Sequence, residues 1–215
     1  MSLELSGTTP AIKGVAGSVS APALTGDDVD TGISFPSANT IKFSTGGVER
    51  MSITDSGVTG AGGKFASYAI ICDKKDANTG GGTFTAGGDR TRDLNTEITD
   101  ADGIVSISSN QFTLQAGSYL IKGSAPAFDV DRHVAWVYDV TAGGNVGEMG
   151  ANAYANNTTS RTFFQIRVTI STTNVYEIRH RANTSKSGNG FGVENNPSVI
   201  DYDSVYTVVE IYKES

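Results

Sequence analysis

The chain has 215 residues, enough for one sizeable domain with an arm or for two small domains. Charged residues make up 18%, against roughly 25% in an average globular domain, and 26 glycines signal many turns and little helix. A net charge of −7 excludes a nucleic-acid partner, because phosphate binding needs a basic surface.

Residues 1 to about 29 form the first segment, rich in Ser, Gly, Thr, Ala and Pro. Its start lacks the positive and apolar regions of a signal peptide, so no secretory route is expected. Leu3, Leu5 and Ile12 are scattered singly, without helical or strand period. Such a segment has no core and orders only against a neighbour. Residues 30 to 64 follow. Ile33 and Phe35, Ile41 and Phe43, and Met51 and Ile53 are spaced for three short strands. Gly, Ser and Thr fill most positions between them, so this segment needs copies of itself or a partner to cover its apolar face. Gly57 to Lys64 carry four glycines in eight positions and read as a flexible connector.

From Phe65 to Ser215 strand signals recur at 67–72, 103–108, 111–114, 118–125, 133–141, 161–171, 174–182 and 204–213. Phe164, Ile166, Val168 and Ile170 share one face of their strand, with Phe163, Gln165, Arg167 and Thr169 on the other. Tyr176 and Ile178 oppose Glu177, Arg179 and Arg181 in the same way. No stretch keeps a helical period over three turns, so the predicted class is all-β, with two opposed antiparallel sheets. No apolar run approaches the roughly 18 residues of a membrane span, and membrane insertion is not expected. The single cysteine, Cys72, lies in the apolar run Tyr68-Ala69-Ile70-Ile71-Cys72 and reads as a small buried hydrophobe.

The chain carries no complete catalytic motif. The only histidines, His133 and His180, lack a nucleophile-elbow Gly-x-Ser-x-Gly. With Cys72 they make no plausible zinc set. Asp27-Asp28-Val29-Asp30 and Asp129-Val130-Asp131 are oxygen-rich and could take calcium, but neither follows a full calcium-loop pattern, so solvated turn acids are favoured and no cofactor is expected. Gly80-Gly81-Gly82 and Gly188-Asn189-Gly190-Phe191-Gly192 read as turns rather than phosphate loops. Arg90, Arg92, Asp93 and Glu97 form the densest charge cluster, read as ion pairing that fixes a loop or a subunit contact. Trp136 and Tyr138 read as core or interface packing, with sugar stacking as the sharper alternative. The long loops at 76–93, 143–160 and 184–201 suit binding; Asn156, Asn157, Asn189 and Phe191 are the receptor-facing candidates.

Two stretches carry a resemblance. Asp30-Thr31-Gly32-Ile33-Ser34-Phe35-Pro36, then Phe43 to Ile53, then Asp55-Ser56-Gly57, resemble the shaft repeat of bacteriophage tail fibres and related virion proteins. Arg90 to Glu97, Ser109 to Tyr119 and Tyr206 to Glu214 are similar to a phage C-terminal head domain of the trimeric jelly-roll type found in tumour necrosis factor and the complement heads. The resemblance implies an N-terminal anchoring arm (1–29), a shaft-like β segment with its connector (30–64) and a jelly-roll head (65–215). It implies a homotrimer on the virion surface, assembled in the host cytoplasm, that contacts other virion proteins and a host glycan or protein. Leu3, Leu5, Ile12, Ile33, Phe35, Phe43, Met51 and Ile53 would then serve anchoring and assembly. The expected role is mechanical rather than enzymatic. A head decoration protein that stabilises the capsid is the first alternative, and a glycan-degrading spike the second.

Overall fold

The structure, a computed structural model, describes residues 16–60, 65–194 and 202–214. Leu3, Leu5 and Ile12 lie outside the described residues. The chain divides into two compact units, Met1–Lys64 and Phe65–Ser215.

The first unit is one antiparallel meander in chain order: β1 (Leu24–Thr25), β2 (Gly32–Ser34), β3 (Ile41–Thr45), β4 (Val48–Thr54) and β5 (Gly57–Thr59). Gly46 and Gly47 close the β3–β4 hairpin with φ of 59° and 70°, the left-handed pair that a two-residue turn of matching twist requires. Register then aligns the apolar residues. Leu24 faces Ile33, Ile33 faces Phe43 and Phe43 faces Met51, while Ile41, Ile53 and Val58 line up beside them. All of these share one face of the sheet. That face is open: among the described residues of this unit the buried side chains are Ser34, Ser44 and Ser52, and no apolar side chain joins them. Phe35 stays 43% exposed and Val58 58%. A fully buried apolar side chain contributes about 1.5–3 kcal/mol, and much of that gain is unrealised here.

The second unit is built from β6 (Phe65–Lys75), β7 (Arg90–Thr91), β8 (Thr96–Thr99), β9 (Val105–Ser108), β10 (Gln111–Leu114), β11 (Gly117–Phe128), β12 (Asp131–Asp139), β13 (Gly144–Asn145), β14 (Ala153–Ala155), β15 (Thr159–Ile170), β16 (Asn174–Ala182) and β17 (Ser204–Glu214). One sheet has the order β15-β11-β17-β6-β8. The other runs β13-β12-β16-β10-β9, with β14 added beside β12 and β7 beside β16. The long strands alternate between the sheets, and the pairs β6–β17, β10–β16 and β11–β15 are nested. This is a jelly-roll β-sandwich. No helix interrupts the described residues.

Between the sheets lies one core, in which Phe112, Leu114, Tyr119, Ile121, Val137, Phe164, Tyr176, Ile178, Val209 and Ile211 interleave. The sides follow the pleat: Phe164 and Ile166 are buried, while Phe163, Gln165 and Arg167 are exposed. Cys72 is buried as a free thiol, and burial raises its pKa.

A second, smaller cluster closes one end, with Phe84, Ala127, Val130, Ala155 and Ala182 buried and Phe191 packed against them. The two glycine-rich loops zip together to make it. Gly81 N–H donates to the Gly192 carbonyl at 2.9 Å and Phe191 N–H to the Gly82 carbonyl at 3.0 Å, while Phe84 and Lys186 exchange both backbone bonds at 2.9 Å. The approach is close enough that a Cβ on Gly190 would sit 2.5 Å from the Lys186 carbonyl oxygen and 2.7 Å from Phe84 Cβ.

Candidate functional site

The outward face of the β15-β11-β17-β6-β8 sheet sets exposed aromatic side chains among charged and polar ones. Pairing sets Arg167, Leu120, Tyr212 and Tyr68 in one row across four strands, and Gln165, Lys122, Glu210 and Ile70 in the next. A third row brings Phe163, Ser124 and Val208 together. Phe163 is 60% exposed and Tyr68 53%. The Tyr212 ring lies 5.2 Å from Phe65 and 6.3 Å from Tyr68, centroid to centroid. Beside Phe163 a cavity of about 510 Å³ opens, walled by Lys122, Ser124, Gln165, Val208 and Glu210. The inner side of this sheet is committed to the core, and on its outer side Phe163 and Tyr68 stay exposed among the described residues.

A second arrangement is internal. Arg92, in the segment after β7, is fully buried. Its Nε donates to Thr207 Oγ1 at 2.7 Å, and its terminal nitrogens donate to the carbonyls of Pro126 at 3.2 Å and Phe191 at 2.9 Å. The guanidinium also stacks 4.2 Å from the Phe191 ring centre. Burial lowers its pKa to about 10, against the opposing pull of Asp73 and Asp93. Asp73 is buried beside it, its pKa raised by desolvation, with Lys75 Nζ at 3.1 Å.

The same end of the sandwich holds both histidines. His133 on β12 faces inward, and its Nδ1 lies 2.9 Å from His180 Nε2 on β16. Its Nε2 lies 2.8 Å from Ser160 Oγ on β15. His180 is fully buried against Phe84, 4.8 Å between ring centres, and its Nδ1 has no partner. Desolvation, reinforced by the Arg92 charge, lowers the His133 pKa to about 4 and drives that of His180 well down. Ser160 and His133 thus have the spacing of a nucleophile and its base. The chain Ser160–His133–His180 runs inward and ends at an imidazole nitrogen that is buried without a partner.

The depressed histidines make stability pH-dependent. Above about pH 6.5 both folded and unfolded chains carry neutral imidazoles. As pH falls from about 6.5 to about 4, the unfolded chain takes up a proton that folded His133 refuses, so stability falls. The loss from His133 alone is on the order of 3 kcal/mol. Thermal melting against pH is expected to show this slope, flattened in His133→Gln; equal slopes in the two proteins would contradict it. Comparing the variants removes the opposite contribution of Asp73, whose raised pKa favours the folded state in acid.

The charge cluster Arg90, Arg92, Asp93 and Glu97 does not converge. Arg92 is sealed inside its own unit, where it ties down the Phe191 loop through that carbonyl. Arg90 donates to the Thr85 carbonyl at 2.7 Å, Asp93 takes Lys75 at 2.7 Å, and Glu97 is exposed on β8. Phe191 is half-buried against Phe84, ring centres 4.5 Å apart. Asn189 serves the Gly188–Gly192 turn, its carbonyl accepting from Gly192 N–H at 2.9 Å. Asn156 and Asn157 are exposed, and Asn157 takes the left-handed conformation with φ 50°. Ile33, Phe43 and Met51 meet on the meander, with Phe35 and Ile53 more exposed beside them. At the calcium candidates, Asp28 accepts from Thr31 Oγ1 at 2.7 Å, and Asp129 is taken by Lys186 at 2.8 Å and by Asn157 N–H at 2.9 Å. Among the described residues no three acidic, histidine or cysteine side chains gather closely enough to hold a metal. Trp136 points to the outer surface by its position in the strand, yet it is buried, with Nε1 donating to Asn145 Oδ1 at 2.9 Å. Arg179 stacks on Tyr138 at 3.1 Å.

No protein-family model matches the chain, and no curated protein matches it in sequence. Among solved structures, the chain is similar to the globular domain of zebrafish complement 1qA, at 14% identity over 67% of this chain and 94% of that one, with a TM-score of 0.45. The PRD1 vertex protein P5 matches at 11% identity, 71% and 100% coverage and a TM-score of 0.45. Murine APRIL matches at 8% identity, 68% and 98% coverage and a TM-score of 0.42. At these scores no function passes from them to this chain.

Proposed function

We propose that this protein is a homotrimeric structural protein of a bacteriophage virion surface, attached through its N-terminal arm and presenting the jelly roll outward. The observation that carries the assembly is the pair of exposed aromatics, Phe163 and Tyr68, on the outer face of the β15-β11-β17-β6-β8 sheet, with Tyr212 beside Tyr68. The open meander adds to it, because its apolar ladder needs a partner layer. Closed symmetry supplies that cover with identical copies, and three is the number implied by the shaft-repeat and head resemblances in the sequence. The virion assignment rests on those same stretches, Asp30 to Gly57 above all. Display for host-surface adhesion is the role that fits an anchored, projecting module.

Deleting residues 1–29 separates the versions of this reading. The truncated protein is expected to keep its trimeric second unit and to be missing from purified particles, with adsorption lost. If adsorption persists and the particles become heat-labile, the protein is a head decoration protein. Antibody labelling that finds no copy on intact particles would overturn the virion assignment altogether.

A further inference from the structure

The outer surface of the other sheet carries a groove that the assembly does not explain. Its volume is about 860 Å³, in the size range of small-ligand sites. Strand register builds it. Tyr154 on β14 stands opposite Arg132 on β12, and Val134 on β12 stands opposite Arg181 on β16. His133, Ala135 and Val137 face the interior, so Arg132 and Val134 face out, and Arg181 does the same on its strand. Asn152 flanks the groove one residue before β14, and Asn183 flanks it where its N–H donates to the Arg132 carbonyl at 3.0 Å.

The lining carries two guanidinium groups, two carboxamides and one phenol, and no carboxylate. In a chain of net charge −7 that is a local inversion of sign. Arg181 is ion-paired to Asp89 at 2.6 Å, an acid outside the lining. Arg132 is exposed and has no ion pair or side-chain hydrogen bond among the described residues. Its planar fork is therefore free for a bidentate anion. Tyr154 is 57% exposed and offers a flat ring beside it, and its hydroxyl accepts from Asn156 Nδ2 at 3.2 Å. The two carboxamides both donate and accept, which suits vicinal hydroxyls.

We infer that this groove binds an acidic saccharide. Arg132 takes the sugar carboxylate, Tyr154 packs under the ring, and Asn152 and Asn183 meet its hydroxyls. This rests on the adhesion reading above and names its ligand class. One groove on an open surface is weak, and a trimer raises the apparent affinity by holding three.

The test uses the full chain and immobilised saccharides: a sialylated lactose, a glucuronic-acid oligosaccharide, unmodified lactose and a poly-glutamate peptide. The acidic sugars are expected to bind at least tenfold better than lactose, more weakly as salt rises. Arg132→Ala is expected to lose tenfold or more, Arg132→Lys to recover part, and Tyr154→Ala to weaken binding at unchanged melting temperature. The inference is overturned if the assembled wild type binds no acidic sugar, binds lactose equally, prefers poly-glutamate, or is unaffected by Arg132→Ala. Particle mass is measured on the same samples. A trimer that fails to bind sinks only the groove, whereas a monomer that binds sinks only the assembly.

Discussion

Replacing Phe163 by Glu is expected to turn an assembled protein into folded monomers. Phe163 points away from the core, while its neighbour Phe164 fills it, so the sandwich keeps its packing. In the assembly the new carboxylate would leave water at every copy of the interface, beside Lys122 but also beside Glu210. Desolvating a charge costs several kcal/mol, and closed symmetry repeats that cost around the ring. Light scattering is expected to report the monomer mass with an unchanged far-ultraviolet spectrum. Thr113→Glu, on the outer face of the opposite sheet, is the control and is expected to leave assembly intact. Phe163→Glu protein that runs at the wild-type mass would remove this face from the interface.

Arg92→Met is expected to destabilise the second unit by about 3–5 kcal/mol, the cost of breaking a buried charge network by removing one partner. Thr207 Oγ1 and the carbonyls of Pro126 and Phe191 lose their donor, and Asp73 is left with Lys75 alone as its opposite charge nearby. At roughly 2–4 °C per kcal/mol for a unit of this size, the calorimetric transition falls by about 10 °C. Arg92→Lys is expected to rescue little, because one ammonium does not reproduce a planar fork that meets acceptors on three separate segments. A change under about 1 kcal/mol would mean that the network adds nothing net to stability.

The contrast between these residues shows what the sequence makes legible. Phe163 and Phe164 are separated by alternation alone, so the period of β15 already told which one faces solvent. The same rule placed Tyr176 and Ile178 inside and Arg179 and Arg181 outside. The meander was legible because apolar pairs recur at strand spacing around Gly46-Gly47. Arg92 was not legible. It lies in a short irregular segment, where no period says which way a side chain turns, and its acceptors are up to 115 residues away. His133 and His180 lie 47 residues apart, and only the register of β12 against β16 brings them together. The groove of Arg132, Arg181 and Tyr154 was hidden for the same reason, since alternation gives faces but not cross-strand neighbours. Phe191 looked like an exposed loop residue because its loop is glycine-rich. Those glycines let two loops approach closely enough to bury an aromatic cluster.

Sedimentation equilibrium of the intact chain at micromolar concentration tests the whole reading most directly. A single species of three chain masses is expected, with the Tyr68 and Tyr212 strands slow to exchange their amide hydrogens. A stable single-chain species under those conditions, with the meander equally protected, would contradict it.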